Sequence, residues 1–218
     1  ELWHHRLIHR NMRDIMYMAK HKMVKGLEAI TNFDASKAVE CSTCNCGKQS
    51  MGAANKGPVD RASYPGEIWH WDYVSVEVRS LGGHCGFYLA VDDATRYMRV
   101  YFARGQSSEE LGRILKQHKR WLKPVEERLN KRCFVRMHSD QGPAFTSAYT
   151  KHLVREELQA EQTWSNAHQK WQNGRCERAV RTISEATRTA LLASGLNKHL
   201  WGAAMAYSVE VINHCRSK

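Results

Sequence analysis

The sequence predicts an α/β layered domain preceded by a small helical module. Strand-like runs rich in β-branched and aromatic residues begin near Ile68, and helix-like segments alternate with such runs from Ser107 onward. Before them lies Gly52–Gly66, a stretch rich in glycine and proline without apolar periodicity, which is typical of a linker. We therefore expect a helical domain over 1–51, a linker over 52–66 and an α/β core over 67–218.

The core is expected to begin with a meander of three strands. Ile68–Val78, Gly86–Val91 and Tyr97–Phe102 have the composition of strands, and Leu81–His84 (LGGH) resembles a hairpin turn. Helices and strands then alternate. The capping box Ser107–Glu110 (SSEE) opens a helix, and a strand over Phe134–His138, a helix over Ser147–Leu158 and a strand over Glu161–Trp164 follow it. A long helix over Gln172–Ser194 is stopped by Gly195, and Asn197 caps a last helix.

Composition narrows the classes of protein that this chain can belong to. It has 218 residues, of which 42% are hydrophobic, so it can bury an ordinary core. Lys and Arg number 33 against 22 acids, a net charge of +11 that points to a polyanionic partner. The excess is concentrated in residues 1–56 and 165–218. No apolar run reaches the roughly 18 residues that span a bilayer, so a membrane protein is not expected.

Histidines and cysteines near the amino terminus predict a zinc site. His4 and His9 form one pair, and Cys41 and Cys44 form another, which together supply the four ligands of a tetrahedral ion. Such an ion would stabilise a module too small to hold itself together by apolar burial. From spacing alone, His5 can replace His4 and Cys46 can replace Cys44. The seven cysteines otherwise indicate a reduced intracellular protein without disulfides.

Three acids occupy positions that suggest a second metal site. Asp72 lies in an apolar strand, where an unpaired carboxylate is costly to bury. Asp140 ends another strand, and Glu177 lies in the first turns of the long helix. Three carboxylates at the edge of a sheet can hold two Mg²⁺ ions for phosphoryl transfer. Alternatively, Asp140 begins a turn and Glu177 pairs with Arg181. A competing acid pair at 92–93 is better explained by a turn at a strand end.

The order of these motifs resembles the integrases of Ty1/copia-type LTR retrotransposons and, more broadly, retroviral-type integrases. The resemblance rests on the His and Cys pairs, on Asp72, and on four further segments of matching type, which are Asp92–Tyr97, Ser139–Gly142, Phe145–Ser147 and Gln172–Arg178. Asp140 and Glu177 are separated by 36 residues, close to the spacing that defines DDE enzymes. The chain departs from the family at 141–144 (QGPA) and in the loop 165–171, which contains no proline.

This resemblance implies a fold, an activity and a set of cofactors. The fold is a ribonuclease-H-like core, with a mixed five-stranded sheet and flanking helices, behind a helical HHCC zinc-binding domain. The activity is that of a polynucleotidyl transferase, with 3′-end processing followed by strand transfer into target DNA. Asp72, Asp140 and Glu177 would bind two Mg²⁺ or Mn²⁺ ions, while the zinc is structural.

The resemblance also implies partners and a cellular location. The partners are the double-stranded DNA ends of the element and target DNA, bound by a homo-oligomer in the nucleus after passage through a cytoplasmic particle. Residues expected to contact DNA flank the third acid, and they are Asn173, Arg175, Arg178, Arg181 and Arg188. The chain is expected to be part of a longer polyprotein product.

Two other classes of function remain open from the sequence. An inactive or domesticated copy would bind DNA while its acids persist without a role. A nuclease of the ribonuclease H type would cut without joining, although the zinc motif and Asn173-Gly174-x-x-Glu177 argue against it.

Overall fold

The computed structural model describes residues 2–27, 41–48, 61–165 and 174–215. Its contacts divide the chain into two compact units. One unit comprises residues 54–181, and the other combines residues 1–53 with residues 182–218. The three-part division predicted from the sequence remains a prediction.

The first unit is built on a mixed sheet with strand order β3-β2-β1-β4-β5. The meander is antiparallel, whereas β1 pairs with β4, and β4 with β5, in parallel. The strands are β1 (Ile68–Ser75), β2 (Gly86–Asp92), β3 (Met98–Ala103), β4 (Arg136–Ser139) and β5 (Glu161–Trp164). This confirms the predicted five-stranded mixed sheet, although β1 ends three residues earlier than expected.

The two faces of β1 serve different purposes because side chains alternate along a strand. Trp69 and Trp71 belong to the main hydrophobic core, where they pack with Leu111, Leu115 and Phe145. His70 and Asp72 point to the opposite face. Burial of the tryptophan face therefore fixes the register that presents Asp72 on the other side.

Helices α1 (Leu2–Arg6), α2 (Met12–Lys20) and α3 (Ser42–Gly47) precede the sheet, and α4 (Ser108–Leu129) follows β3. Ser107 caps α4 by accepting a hydrogen bond from the Glu110 amide at 3.1 Å, as the capping motif predicted. Two short helices, α5 (Pro143–Thr146) and α6 (Ala148–His152), lead into a π-helical turn over Leu153–Glu157. The single helix expected over Ser147–Leu158 is therefore divided, and α5 was not predicted.

The long helix α7 (Gly174–Ser194) belongs to both units, which divide between Arg181 and Thr182. It ends as predicted at Gly195, whose φ of +65° is a left-handed conformation that favours glycine. The predicted start at Gln172 lies outside the described residues. After a 3₁₀ turn over Lys198–Leu200, α8 (Trp201–His214) completes the described chain.

The second unit packs the amino-terminal helices against α8. Leu7, Ile15 and Met18 share a buried cluster with Cys215, and Val211 packs at its edge. The Tyr207 hydroxyl donates a 2.9 Å hydrogen bond to the carbonyl of Arg6. Residues distant in sequence thus supply part of the core that the amino-terminal module lacks by itself. Of the helices in the described ranges, none has the length and apolar character needed to span a bilayer.

Candidate active site and metal centre

Asp72 and Asp140 lie next to each other at one end of the parallel β1–β4 pair. The last register pair of these strands is Trp71 with Ser139, so the two aspartates occupy the next position on each chain. Two residues earlier, the rings of His70 and His138 meet on the same face with centroids 5.3 Å apart. The parallel register therefore brings two of the three predicted acids together.

The carboxyl group of Asp72 is held in an environment that disfavours its charge. Burial, together with the charges of Asp140 and Glu177, raises its pKa to about 6. A 2.9 Å hydrogen bond from the Tyr73 amide opposes the shift without cancelling it. Asp140 is exposed, and its Oδ1 accepts a 3.0 Å hydrogen bond from the Gly142 amide, which forms the turn that the sequence also suggested.

Glu177 reaches the same region from the first turn of α7. Its neighbour Cys176 is fully buried, and burial followed by the charges of the three acids raises the pKa of this thiol well above its ordinary value. The charges of Asp140 and Glu177 thus raise the pKa of both the Cys176 thiol and the Asp72 carboxyl group, in addition to burial. The structure brings the three predicted acids into one electrostatically coupled group.

This group has the chemistry of a divalent-cation site. Its donors are carboxylate oxygens, the ligands that Mg²⁺ and Mn²⁺ prefer. A cation would offset the burial and the carboxylate repulsion that together raise the pKa of Asp72. The three acids are not gathered as closely as the amino-terminal quartet described below. A site for two ions about 3.5–4 Å apart distributes its ligands over a wider space than a site for one ion.

The four predicted zinc ligands converge in the second unit. His4, His9, Cys41 and Cys44 have donor atoms that all lie within 4.8 Å of one another. In the described ranges, no other group of three or more His, Cys, Asp or Glu side chains has its donor atoms gathered as closely. His5 and Cys46, the alternatives left open by the sequence, are exposed and lie outside this group.

Three of the distances between the donor atoms are close to the edge lengths of a zinc tetrahedron. His9 Nδ1 lies 3.2 Å from His4 Nε2 and 3.2 Å from Cys41 Sγ, and Cys44 Sγ lies 3.4 Å from His4 Nε2. Zinc–ligand bonds of ordinary length place tetrahedral donors about 3.3–3.8 Å apart. The residues present therefore fit a structural zinc ion.

Neighbouring groups orient the two histidines for this role. His4 Nδ1 lies 2.7 Å from the carbonyl of Arg10, so this nitrogen carries the proton and Nε2 is left as the metal-binding atom. Burial lowers the pKa of His9 to about 4, so its ring is neutral at pH 7, which is the form that binds zinc. The carbonyl of His9 in turn accepts a 2.6 Å hydrogen bond from Lys48 Nζ.

The acid pair at the end of β2 is structural, but it does more than form a turn. Asp92 accepts hydrogen bonds from Thr95 and from the Gly66 amide, as a residue that organises a turn does. Asp93 is buried and ion-pairs with Arg175, and its Oδ1 lies 2.8 Å from His70 Nε2. No signal in the sequence indicates that Asp93 faces inward, because its buried partners His70 and Arg175 are distant along the chain.

The expectation that Arg175 contacts DNA is wrong. Arg175 is buried with 9% of its surface exposed, and its guanidinium is engaged by Asp93. Arg178, Arg181 and Arg188, in contrast, are exposed on α7. Asn173 lies outside the described residues. The helical period alone does not explain the difference, because residues 175 and 178 are three positions apart and lie on the same side of α7. The ion pair with Asp93 is what distinguishes Arg175.

Two further arginines join Arg178 in the first unit. Burial and then the charges of Arg61 and Arg178 lower the pKa of Arg96. Arg96 remains partly exposed, with 39% of its side chain accessible, and has a left-handed φ of 69°. Arg96 lies in Asp92–Tyr97, one of the segments that carry the family resemblance, but no role was predicted for it. Arg61 lies outside those segments.

The sheet order and flanking helices define the fold class as ribonuclease-H-like. The family model of the integrase core domain matches residues 62–173, and that of the GAG-pre-integrase domain matches residues 1–49. The chain therefore belongs to the integrase core domain family, as its resemblance to retrotransposon integrases predicted. An integrase-type function and the fold of a polynucleotidyl-transferase-type enzyme follow from this membership.

Curated relatives are polyproteins of retrotransposons. The chain is 25% identical over 218 residues, its whole length, to the retrovirus-related Pol polyprotein of transposon TNT 1-94 from Nicotiana tabacum. It is 25% identical over 222 residues, covering 98% of the chain, to the transposon Ty1-DR4 Gag-Pol polyprotein of Saccharomyces cerevisiae. The chain spans 15% and 13% of these relatives, respectively.

Solved structures share the fold at low sequence identity. An intasome of simian T-cell lymphotropic virus, in complex with the PP2A regulatory subunit B56 gamma, matches with a TM-score of 0.57 at 15% identity, over 92% of this chain and 68% of that one. The HTLV-2 integrase catalytic core in complex with magnesium matches with a TM-score of 0.51 at 18% identity, over 70% of this chain and 88% of that one.

Proposed function

We propose that this chain is the integrase of a Ty1/copia-type retrotransposon, which trims the 3′ ends of the element's DNA and joins them to target DNA. The observation that carries the proposal is the coupling of Asp72, Asp140 and Glu177 within a ribonuclease-H-like unit. A structural role does not account for three carboxylates that repel one another, whereas a role in cation binding does.

Asp72, Asp140 and Glu177 are proposed to hold two Mg²⁺ or Mn²⁺ ions. When bound, such ions activate an attacking oxygen and stabilise the leaving oxygen of a phosphodiester. The three side chains act as ligands and not as nucleophile or acid–base pair. Asp72 supplies a rigid position within β1, while Asp140 and Glu177, both exposed, face the incoming DNA.

The His4, His9, Cys41 and Cys44 quartet is proposed to hold a structural zinc ion that stabilises the second unit. The quartet connects α1 to α3, which are both too short to be stable helices in isolation. This role does not depend on the chemistry of the carboxylate site.

DNA contacts are proposed for Asn173, Arg178, Arg181 and Arg188, and for Arg61 and Arg96, whose charges lie near that of Arg178. Mutual repulsion between Arg96, Arg61 and Arg178 favours a bound phosphate, which would neutralise it. Contacts of this type position a DNA backbone without reading its sequence. We further propose that the protein acts in the nucleus as a homo-oligomer on paired DNA ends.

Strand transfer with oligonucleotides that carry candidate terminal repeats tests the proposal. Wild-type protein is expected to give joined products with Mg²⁺ or Mn²⁺, and Asp140→Asn is expected to abolish them. Binding of the same DNA in buffer without Mg²⁺ and Mn²⁺ should stay within a few-fold of wild type. The matched control is Glu156→Gln, an exposed acid on the π-helical turn, which should retain full joining.

The outcomes separate this function from the two others that the sequence left open. Joining by Asp140→Asn would reject the assignment of the acids. DNA binding without joining by the wild-type protein would indicate an inactive copy. Cleavage of RNA–DNA hybrids without joined products would indicate a nuclease of the ribonuclease H type.

A further inference from the structure

Asp93 connects the strand that carries Asp72 to the helix that carries Glu177. Its carboxylate Oδ1 lies 2.8 Å from Nε2 of His70, which is two residues before Asp72 on β1. The same oxygen is the ion-pair partner of Arg175, which is two residues before Glu177 on α7. Asp93 therefore contacts both elements at equal sequence distances from the proposed metal ligands.

Additional contacts strengthen this connection on both sides. The Arg175 guanidinium also donates to the main-chain carbonyl of Asp93 at 3.3 Å, and the other carboxylate oxygen accepts a 2.8 Å hydrogen bond from the Ala62 amide. The Cys176 thiol lies 3.7 Å from the carbonyls of His70 and Leu89. Leu89 is the register partner of Asp72 on β2, so the first turn of α7 rests directly on this part of the sheet.

Stability alone gives a poor account of this arrangement. Asp93 and Arg175 are 2% and 9% exposed, and removing two such charges from water carries a large desolvation cost. Among the described residues, the buried atoms Arg175 Nη2 and His70 Nδ1 have no hydrogen-bond partner, so the network is not fully satisfied within those ranges. Apolar residues would hold a helix against a sheet at lower cost, but they would define its position less sharply.

We propose that Asp93 is a positioning residue for the carboxylate site, and that it sets the position of Glu177 relative to Asp72 through Arg175 and His70. This inference rests on the proposed function, since it assumes that the three acids bind divalent cations together. Asp93 does not touch the cations itself. It acts through two neighbours of the ligands, as outer partners of metal sites do.

Asp92 provides a matched control for Asp93. It is the adjacent residue, it is equally buried at 2%, and its carboxylate accepts three hydrogen bonds. Those bonds come from Gly66 and Thr95, which belong to loops and not to α7. Loss of either charge disturbs the end of β2, but only loss of Asp93 releases the α7 contact.

The test measures Mn²⁺ binding to the full chain with its zinc retained. Electron paramagnetic resonance detects the free Mn²⁺ ion and so gives the bound fraction. We expect Asp93→Asn to weaken Mn²⁺ binding roughly 10- to 100-fold, the range typical of lost outer partners of metal ligands. Asp92→Asn should bind Mn²⁺ within about twofold of wild type. This should hold even if its melting temperature falls as far as that of Asp93→Asn. Arg175→Met should match Asp93→Asn, and the double variant should be no weaker than either single one.

Arg175→Lys provides a decisive variant should Asp93→Asn fail to fold. It keeps the charge opposite Asp93 but loses the planar group that reaches both the carboxylate and the main-chain carbonyl. Weaker Mn²⁺ binding by this variant supports the proposal, and wild-type binding overturns it.

Two further results would overturn the inference, and they are distinguishable. Equal weakening by Asp92→Asn and Asp93→Asn would mean that Asp93 only stabilises the fold. If Asp72→Asn and Asp140→Asn bind Mn²⁺ as tightly as wild type does, the carboxylate site itself is rejected. The proposed function would then fail together with the inference.

Discussion

Asp140 follows β4 at the position that would pair with Asp72 if the β1–β4 ladder continued by one residue. Its charge, after burial, contributes to holding the pKa of Asp72 at about 6. The carboxyl group of Asp72 therefore resists ionisation in the metal-free protein. This relationship makes the metal-free protein sensitive to pH in a defined direction.

Asp72→Asn is expected to stabilise the metal-free protein above pH 6. The pKa of Asp72 is 3.8 without the fold and about 6 within it, so the folded state binds the proton more tightly. Its stability consequently falls as pH rises from about 4 to about 6. The shift corresponds to at most about 3 kcal/mol.

Thermal unfolding at pH 4 and pH 7.5, in buffer with zinc but without Mg²⁺ or Mn²⁺, checks this expectation. The variant should melt higher than wild type at pH 7.5, and the two should agree at pH 4. Glu156→Gln, an exposed acid, should change neither value. Equal stability of Asp72→Asn and wild type at pH 7.5 would show that burial of this carboxylate carries no penalty.

Cys44→Ser is expected to lose zinc and to lower the stability of the second unit. Its Sγ lies 3.4 Å from His4 Nε2, within the quartet, whereas the exposed Cys46 lies outside it. Because metal binding contributes directly to the folding of small modules, loss of one ligand weakens both zinc binding and the stability of the unit. Cys46→Ser and His5→Ala should keep one zinc ion per chain after dialysis. Elemental analysis measures the content, and zinc loss by Cys46→Ser would contradict the assignment.

Arg178→Gln is expected to weaken DNA binding and to make it less dependent on salt. Each phosphate contact contributes about 0.9 to the slope of log affinity against log salt. Loss of one contact should reduce the slope by about that amount. The control Arg155→Gln removes an arginine that is 86% exposed on the π-helical turn, and its slope should equal that of wild type. Fluorescence anisotropy over a salt series measures both slopes.

Ser107→Ala is expected to reduce the free energy of unfolding by about 1 kcal/mol, because the hydroxyl accepts the Glu110 amide at the start of α4. The control is Ser63→Ala, since Ser63 is exposed and its known hydrogen bond uses its main-chain amide. Urea unfolding distinguishes the two. A loss as large in Ser63→Ala would mean that capping is not the cause.

Local patterns were sufficient for most of the secondary structure. Ser107, Gly195 and the β-branched strands act through neighbours a few residues away, so their effects are visible in the sequence. The divided helix near Ser147 was missed, because α6 and the π-helical turn pack against α4 and β5 rather than follow their own propensity.

The sequence by itself determined the residue types of both candidate metal sites. Carboxylates suit Mg²⁺ and His/Cys pairs suit Zn²⁺, and the order of these residues matched a known family. Only the tertiary structure decided between His4 and His5, and between Cys44 and Cys46, because those pairs differ in direction and not in chemistry. It also turned Arg175 inward to Asp93, residues 82 positions apart, a pairing that no local pattern encodes.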